Sequence, residues 1–303
     1  MDFTFNSRVL VMGITEPRSS VYVSMMKAYG TQIVAGVSPG HQGERVHGIP
    51  VFDMVEQALA QIGKVETAVI FVQPYAVLDA ALEAIAAEIH QLIVITEGVP
   101  PLDMVTLLRK AEATETLVVG PNCPGLIVPG QILLGTHPPA FYMPGSVGIV
   151  SCSGTLIYEV ALELTRAGLG QSIAVGIGSD RIRGSSLQQW LQILEEDELT
   201  EVIVLVGERD SESEDLAADY IAAAIDKPVV AYIAGLTVPN FQSIGVTSAP
   251  IAARLSGLSH GLSHSISPAE RQGLAFQQAK IPLADRPSQI PDLVKRALWQ
   301  IPR

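Results

Sequence analysis

Short continuous apolar runs alternate along this chain with longer stretches in which apolar residues return every three or four positions. RVLVMG (8–13), TQIVAGV (31–37), ETAVIFV (66–72), LIVITEG (92–98) and TLVVG (116–120) are runs of strand length, rich in β-branched residues. Between them, 54–63, 75–88 and 102–113 carry the helical period, and Ser19/Ser20 and Gly30 mark the start and stop of an earlier helix. Strands apolar on both faces and separated by helices predict a parallel sheet covered on both sides.

A Pro/Gly-rich stretch from Gly120 to Gly145 breaks the rhythm, with room for a short hairpin at QILLG. The alternation then restarts with SVGIVS (146–151), QSIAVGIG (171–178), VIVLVG (202–207) and PVVAYIAG (228–235), with helical stretches between them. The expected organisation is therefore two doubly wound α/β domains, 1–125 and 146–303, joined by a connector at 126–145. A length of 303 residues suits two domains.

Composition narrows the function classes. With 48% hydrophobic and 17% charged residues the chain can bury large cores. Its net charge of −12 and the absence of a basic run argue against nucleic acid or an anionic membrane as partner. The N-terminus has no secretory pattern, no apolar stretch approaches spanning length, and two cysteines with six histidines form no disulfide or metal pattern. A soluble, cytoplasmic protein without a metal is the expectation.

In sheets of this kind ligands bind at the C-terminal ends of the strands. The loops placed there carry most of the unusual polar and glycine residues: GITEPRSS (13–20), VSPGHQG (37–43), VQPYA (72–76), TEGVPP (96–101), GPNCPG (120–125), SCSGT (151–155), GIGSDRIRGSS (176–186) and GERDSES (207–213). SCSGT lacks the Gly-x-Ser-x-Gly of a nucleophile elbow, and no histidine is near it in sequence. A turn of small hydroxyl residues leading into a helix suits an anion, because the first helical amides are unpaired and the helix dipole favours negative charge. The plain alternative is a capped helix with no ligand. GITEPRSS lacks Gly-x-Gly-x-x-Gly; Arg18, Ser19 and Ser20 suit a phosphate and Glu16 opposes one. Cys123 is either a thiol at a ligand mouth or a small residue in a tight turn. His260 and His264 have helical spacing, but with Gly261 between them and no third ligand, surface positions suit them better.

These loops in this order resemble the α subunit of succinyl-CoA synthetase (succinate–CoA ligase). The resemblance is carried by KAYGTQIVAGVSPG (27–40), VITEGVPPLDM (94–104), GPNCPG (120–125), VGIVSCSGTLIYE (147–159), GQSIAVGIGSD (170–180), VGE (206–208) and KPVVAYIAGLTVP (227–239). It implies a Rossmann-like CoA-binding domain followed by a flavodoxin-like ligase domain, CoA or acyl-CoA as cofactor, and a β-type ATP-grasp partner or a homo-oligomer. The CoA contacts it implies are Thr15, Arg18, Ser19, Ser20, Pro39, His41, Gln73, Pro74, Thr96, Glu97, Asn122 and Cys123. It also implies an anion cradle at Ser153, Gly154 and Thr155 for a phosphohistidine, which Glu208 supports.

Within that resemblance the phosphorylated histidine is missing. Where the family has Gly-His-Ala-Gly-Ala, this chain has Gly245-Val246-Thr247-Ser248-Ala249, and a valine side chain cannot carry phosphate. The family's first-loop glycines have become Glu16-Pro17-Arg18-Ser19, a phosphate-pairing lysine is His41, and Arg181, Arg183 and Arg209 are additional charges. Three readings follow: a diverged subunit that binds CoA or another anion and acts through a partner, an active ligase with a bypassed or relocated histidine such as His260 or His264, and an assembly protein without a ligand.

Overall fold

The computed structural model describes residues 7–208, 212–235 and 268–299. Seven strands form the first sheet among these residues: β1 (Val9–Met12), β2 (Ile33–Val37), β3 (Arg45–Val46), β4 (Ile49–Phe52), β5 (Thr67–Ile70), β6 (Gln91–Val94) and β7 (Leu117–Val119). Their order is β3-β4-β2-β1-β5-β6-β7, and every neighbouring pair is parallel except β3 with β4. The helices α1 (Pro17–Tyr29), α2 (Val55–Ile62), α3 (Val77–Ala86) and α4 (Pro101–Ala113) provide the crossovers. Proline at the first turn of α1 and of α4 fits a position that needs no amide donor. Gly30 ends α1 in the left-handed region, returning its N–H to the Lys27 and Met26 carbonyls. Strand order reverses between β1 and β5, which opens a crevice at their C-terminal ends.

The second sheet contains β8 (Gly125–Val128), β9 (Ile132–Gly135), β10 (Pro144–Ser151), β11 (Gln171–Gly176), β12 (Val202–Glu208), β13 (Val229–Ala234) and β14 (Leu283–Ala284). Its order is β14-β13-β12-β10-β11-β8-β9, with α5 (Leu156–Arg166), α6 (Leu187–Glu196), α7 (Glu212–Ala224), α8 (Pro268–Gln278) and α9 (Ile290–Trp299) in the intervening chain. Ser186 and Gln189 close a reciprocal capping box at the start of α6. The fold is the two-domain α/β architecture that the periodicity predicts.

The stretch 126–145 corrects the reading of a connector. Its β8–β9 hairpin is the antiparallel edge of the second sheet, with Leu126 opposite Val175 of β11. The same hairpin lies against α1 of the first domain. Thr31 Oγ1 donates to the Leu133 carbonyl (2.7 Å) and accepts from its N–H (3.1 Å), and the Gly130 N–H donates to the Tyr29 hydroxyl (2.8 Å). Leu133 and Leu134 are fully buried in a core shared by both domains. At about 1.5–3 kcal/mol per buried leucine, this packing holds the domains together far better than a linker would.

His137 locks the hairpin. Carbonyl oxygens only accept, so Nε2–H donates to Gly125 O (3.0 Å) while Nδ1 accepts from the Tyr142 hydroxyl (2.7 Å). Burial pushes this imidazole down to about 4, which keeps it neutral at pH 7.

Candidate functional site

The crevice between the β1 and β5 ends is a cavity of about 600 Å³ lined by Glu16, Pro17, Arg18, Tyr22, Phe71, Val72, Gln73, Pro74, Ile95, Thr96, Glu97, Asn122 and Thr136. Three loops and the start of α1 meet there because β1 turns sharply at Gly13. That residue sits at φ +76°, and a Cβ on it would lie 2.9 Å from the Val72 amide nitrogen. The Tyr22 and Phe71 rings stack on each other in the cavity lining, with centroids 6.1 Å apart.

Polar groups at the mouth are paired with one another. Arg18 Nη1 lies 3.4 Å from Glu97 Oε1, and Gln73 Nε2 donates to Glu16 Oε2 (2.9 Å). Asn122 Nδ2 donates to Asp180 Oδ1 (2.9 Å) and to Ser179 Oγ (3.1 Å), which ties the cavity wall to the second domain. Gly178 supports the same junction: at φ +95°, a Cβ there would meet the Pro121 carbonyl at 2.1 Å.

Six of the residues expected at CoA line this cavity: Arg18, Gln73, Pro74, Thr96, Glu97 and Asn122. The others do not. Ser19 is buried beneath the turn, its hydroxyl within 2.7–2.9 Å of the Gly13, Ile14 and Glu16 carbonyls, so it holds the loop together. Thr15 donates to Ser38 Oγ (2.8 Å), and Ser20 Oγ meets His47 Nε2 (3.0 Å). His41 pairs through Nδ1 with Glu44 (3.1 Å), next to the exposed Pro39. Cys123 is buried with its thiol on the Val94 carbonyl (3.3 Å), and burial pushes it up to about 12. A thiol so held is not a nucleophile at neutral pH.

Tyr22, Phe71, Val72, Ile95 and Thr136 also line the cavity and escaped the sequence reading. Tyr22 was within reach, since it lies four residues after Arg18 and therefore on the same helix face. Thr136 was not, because it follows the hairpin in a Pro/Gly-rich stretch whose pattern predicts a connector.

The second candidate is the turn before α5. Ser151 Oγ donates to the Ser153 carbonyl (2.8 Å) and accepts from the Ser153 N–H (3.0 Å). That N–H is used within the turn, so Gly154, Thr155 and the first helical residues remain to supply amides. Thr155, at the N-cap, makes no side-chain capping bond. Parallel register pairs Ser151 with Val206, which brings Glu208 out of β12 beside the turn. Arg183 Nη1 lies 3.4 Å from the Gly178 carbonyl, and Arg181 is exposed. Val246, Arg209, His260 and His264 lie outside the described residues. Among the described residues, no group of histidine, cysteine, aspartate and glutamate could hold a metal, and no helix is long and apolar enough to cross a membrane.

A Rossmann-like crevice joined to a flavodoxin-like domain defines the class, and the comparisons agree. Residues 4–98 match the CoA binding domain, and residues 144–252 match the succinyl-CoA ligase like flavodoxin domain. The chain is 39% identical over 292 residues to succinate–CoA ligase (ADP-forming) subunit alpha 2 of Archaeoglobus fulgidus, covering 96% of this chain and 97% of that one. It is 43% identical over 248 residues to succinate–CoA ligase (ADP-forming) subunit alpha of Aquifex aeolicus, covering 81% of each. The chain belongs to the succinate–CoA ligase α-subunit family.

The fold also matches ATP citrate lyase of Methanosaeta concilii, a D541A mutant in complex with (3S)-citryl-CoA, with TM-score 0.78 and 22% identity; 98% of this chain spans 50% of that one. It likewise matches the dinucleotide-forming acetyl-coenzyme A synthetase 1 of Ca. Korarchaeum cryptofilum in its apo form, with TM-score 0.71 and 21% identity; 98% of this chain spans 62% of that one.

Proposed function

We propose that this chain is a diverged α-type subunit that binds CoA or an acyl-CoA in the β1–β5 cavity, acts with a β-type ATP-grasp partner, and passes no phosphoryl group through a histidine of its own. The observation that carries the reading is the convergence of Arg18, Gln73, Pro74, Thr96, Glu97 and Asn122 on one cavity of about 600 Å³. That volume suits a cofactor-sized ligand. The similar proteins of Archaeoglobus fulgidus and Aquifex aeolicus are named as subunits, which supports a partner. Val246 supports the loss of the relay, since its side chain has no atom to accept phosphate.

In this role the cavity supplies recognition and orientation, with aromatic and aliphatic walls around a few polar groups. The turn before α5 supplies amides for an anion of the partner's reaction. Two measurements test the reading. Saturating CoA raises the melting temperature, a stabilisation of about 2.7 kcal/mol at a hundred times Kd. Mass spectrometry under conditions that preserve phosphohistidine finds no phosphoryl group on the chain after incubation with a β-type subunit, nucleoside triphosphate and magnesium. Phosphate on His260 or His264 would instead show a relocated relay, and a flat melting curve would leave an assembly role.

A further inference from the structure

Three cavity-lining side chains carry nitrogen donors: Arg18, Gln73 and Asn122. Each is already held by a carboxylate of the chain itself. Arg18 faces Glu97 at 3.4 Å, Gln73 donates to Glu16 at 2.9 Å, and Asn122 donates to Asp180 at 2.9 Å. The neighbouring loop, joined to this one through Thr15 and Ser38, repeats the pattern. The Gly40, His41 and Gln42 N–H groups all donate to Asp53 Oδ1 (2.8, 3.0 and 3.0 Å), and the His41 ring pairs with Glu44. Three successive amides facing one oxygen is an arrangement suited to a phosphate, and here an aspartate fills it.

We infer that this cavity recognises its CoA-type ligand through the uncharged part and gains nothing from the ligand's phosphates. A phosphate approaching Arg18 must displace or accompany Glu97, and it meets Glu16 as a like charge. Attraction and repulsion then nearly cancel across a few ångströms. What remains is apolar and aromatic contact with Tyr22, Phe71, Val72 and Ile95, which is indifferent to phosphate number. Glu16 and Glu97 are therefore specificity determinants of the cavity, with Asp53 closing the neighbouring loop: they admit dephospho-CoA on nearly equal terms with CoA.

This inference rests on the CoA reading above, and titration calorimetry of the full chain separates the two. CoA, dephospho-CoA and pantetheine are measured at low and high salt. The expected affinities of CoA and dephospho-CoA agree within about three-fold, and none of the three falls as salt rises, because no net phosphate–cation attraction is present to be screened. Phe71→Ala lowers all three by a common factor of about ten. Glu97→Gln frees Arg18 and raises CoA over pantetheine by about five-fold. A ten-fold or greater preference of the unaltered chain for CoA over dephospho-CoA, lost at high salt, overturns the inference and leaves the CoA reading standing. An unchanged ratio in Glu97→Gln also overturns it, since the carboxylate would not then be what silences Arg18. Failure of all three ligands to bind removes the CoA reading and the inference with it.

Discussion

Two strand-to-helix turns, one in each domain, present a helix start at the edge of a sheet, and they are finished in opposite ways. At α1 the N-cap is Glu16, whose carboxylate is tied to Gln73, with Arg18 and Glu97 facing each other beyond it. At α5 the N-cap is Thr155, and the preceding turn is closed by the Ser151 hydroxyl, with Glu159 exposed in the first helical turn and Glu208 on a different strand. First-turn amides lack intrahelical partners in both places, although Pro17 removes one of them at α1. Side-chain charge decides the difference: at the first start the chain's own acids pair with the donors at the mouth, whereas the turn before the second is built from neutral hydroxyls and glycine, and its acids lie outside that turn. A helix start is thus an anion site only where its neighbours leave it one.

The largest expected effect comes from breaking the junction between the two regions. Gly178→Ala puts a Cβ 2.1 Å from the Pro121 carbonyl at a backbone φ of +95°. Either the 178–184 loop or the GPNC loop must move, at a cost of about 3 kcal/mol. Chemical denaturation measures that loss, and CoA binding weakens in the same variant because Asn122 shifts with the loop. Normal CoA affinity in a destabilised Gly178→Ala would show that the cavity does not depend on the second domain.

A smaller effect sharpens the contrast at α5. Ser151→Ala removes the partner of the buried Ser153 N–H, and an unsatisfied buried donor costs about 1–2 kcal/mol. Phosphate or sulfate recovers part of that stability if the turn admits an anion, since the freed amide adds a donor to the helix start. Equal melting temperatures with and without the anion would mark this as a closed turn. At α1 no such anion effect is expected in the unaltered chain.

Much of the fold was legible because parallel strands buried on both faces are unbroken apolar runs, as in RVLVMG and VIVLVG. A hairpin at QILLG was legible but its place in the second sheet was not, because each of its strands spans four residues between glycines and prolines, and local punctuation there outweighs any period. β3 and β4 were missed for a related reason: Arg45 and Pro50 interrupt a pair too short to show alternation. The loops that build the cavity were visible, but their internal pairing was not. Glu97 lies 79 residues from Arg18, and Asp180 lies 58 from Asn122. Charges listed along a sequence do not show which of them cancel.

The smallest effect concerns Cys123, the cysteine of the cavity region. Burial outweighs the Gly125 backbone hydrogen bond and raises its thiol from an ordinary value near 9.0 to about 12. The sign follows directly. The unfolded chain gives up this proton above pH 9 and the folded chain holds it, so the contribution to stability is complete below pH 9 and declines as pH rises toward 12. Each unit of pH inside that window costs about 1.4 kcal/mol from this group. Buried Tyr142 and half-buried Tyr158, also raised chiefly by burial, lose stability in the same direction at higher pH. Cys123→Ala separates the contributions. Between pH 9 and 10 its denaturation midpoint falls less than that of the unaltered chain, by about 1 kcal/mol, while the steeper decline above pH 10 persists. The native thiol also resists a thiolate-selective reagent at pH 8 and reacts once the chain is unfolded. Rapid labelling of native Cys123 at pH 8 would show a thiolate buried behind the cavity, adding negative charge near a mouth already lined with it and strengthening the contrast with α5 by another route.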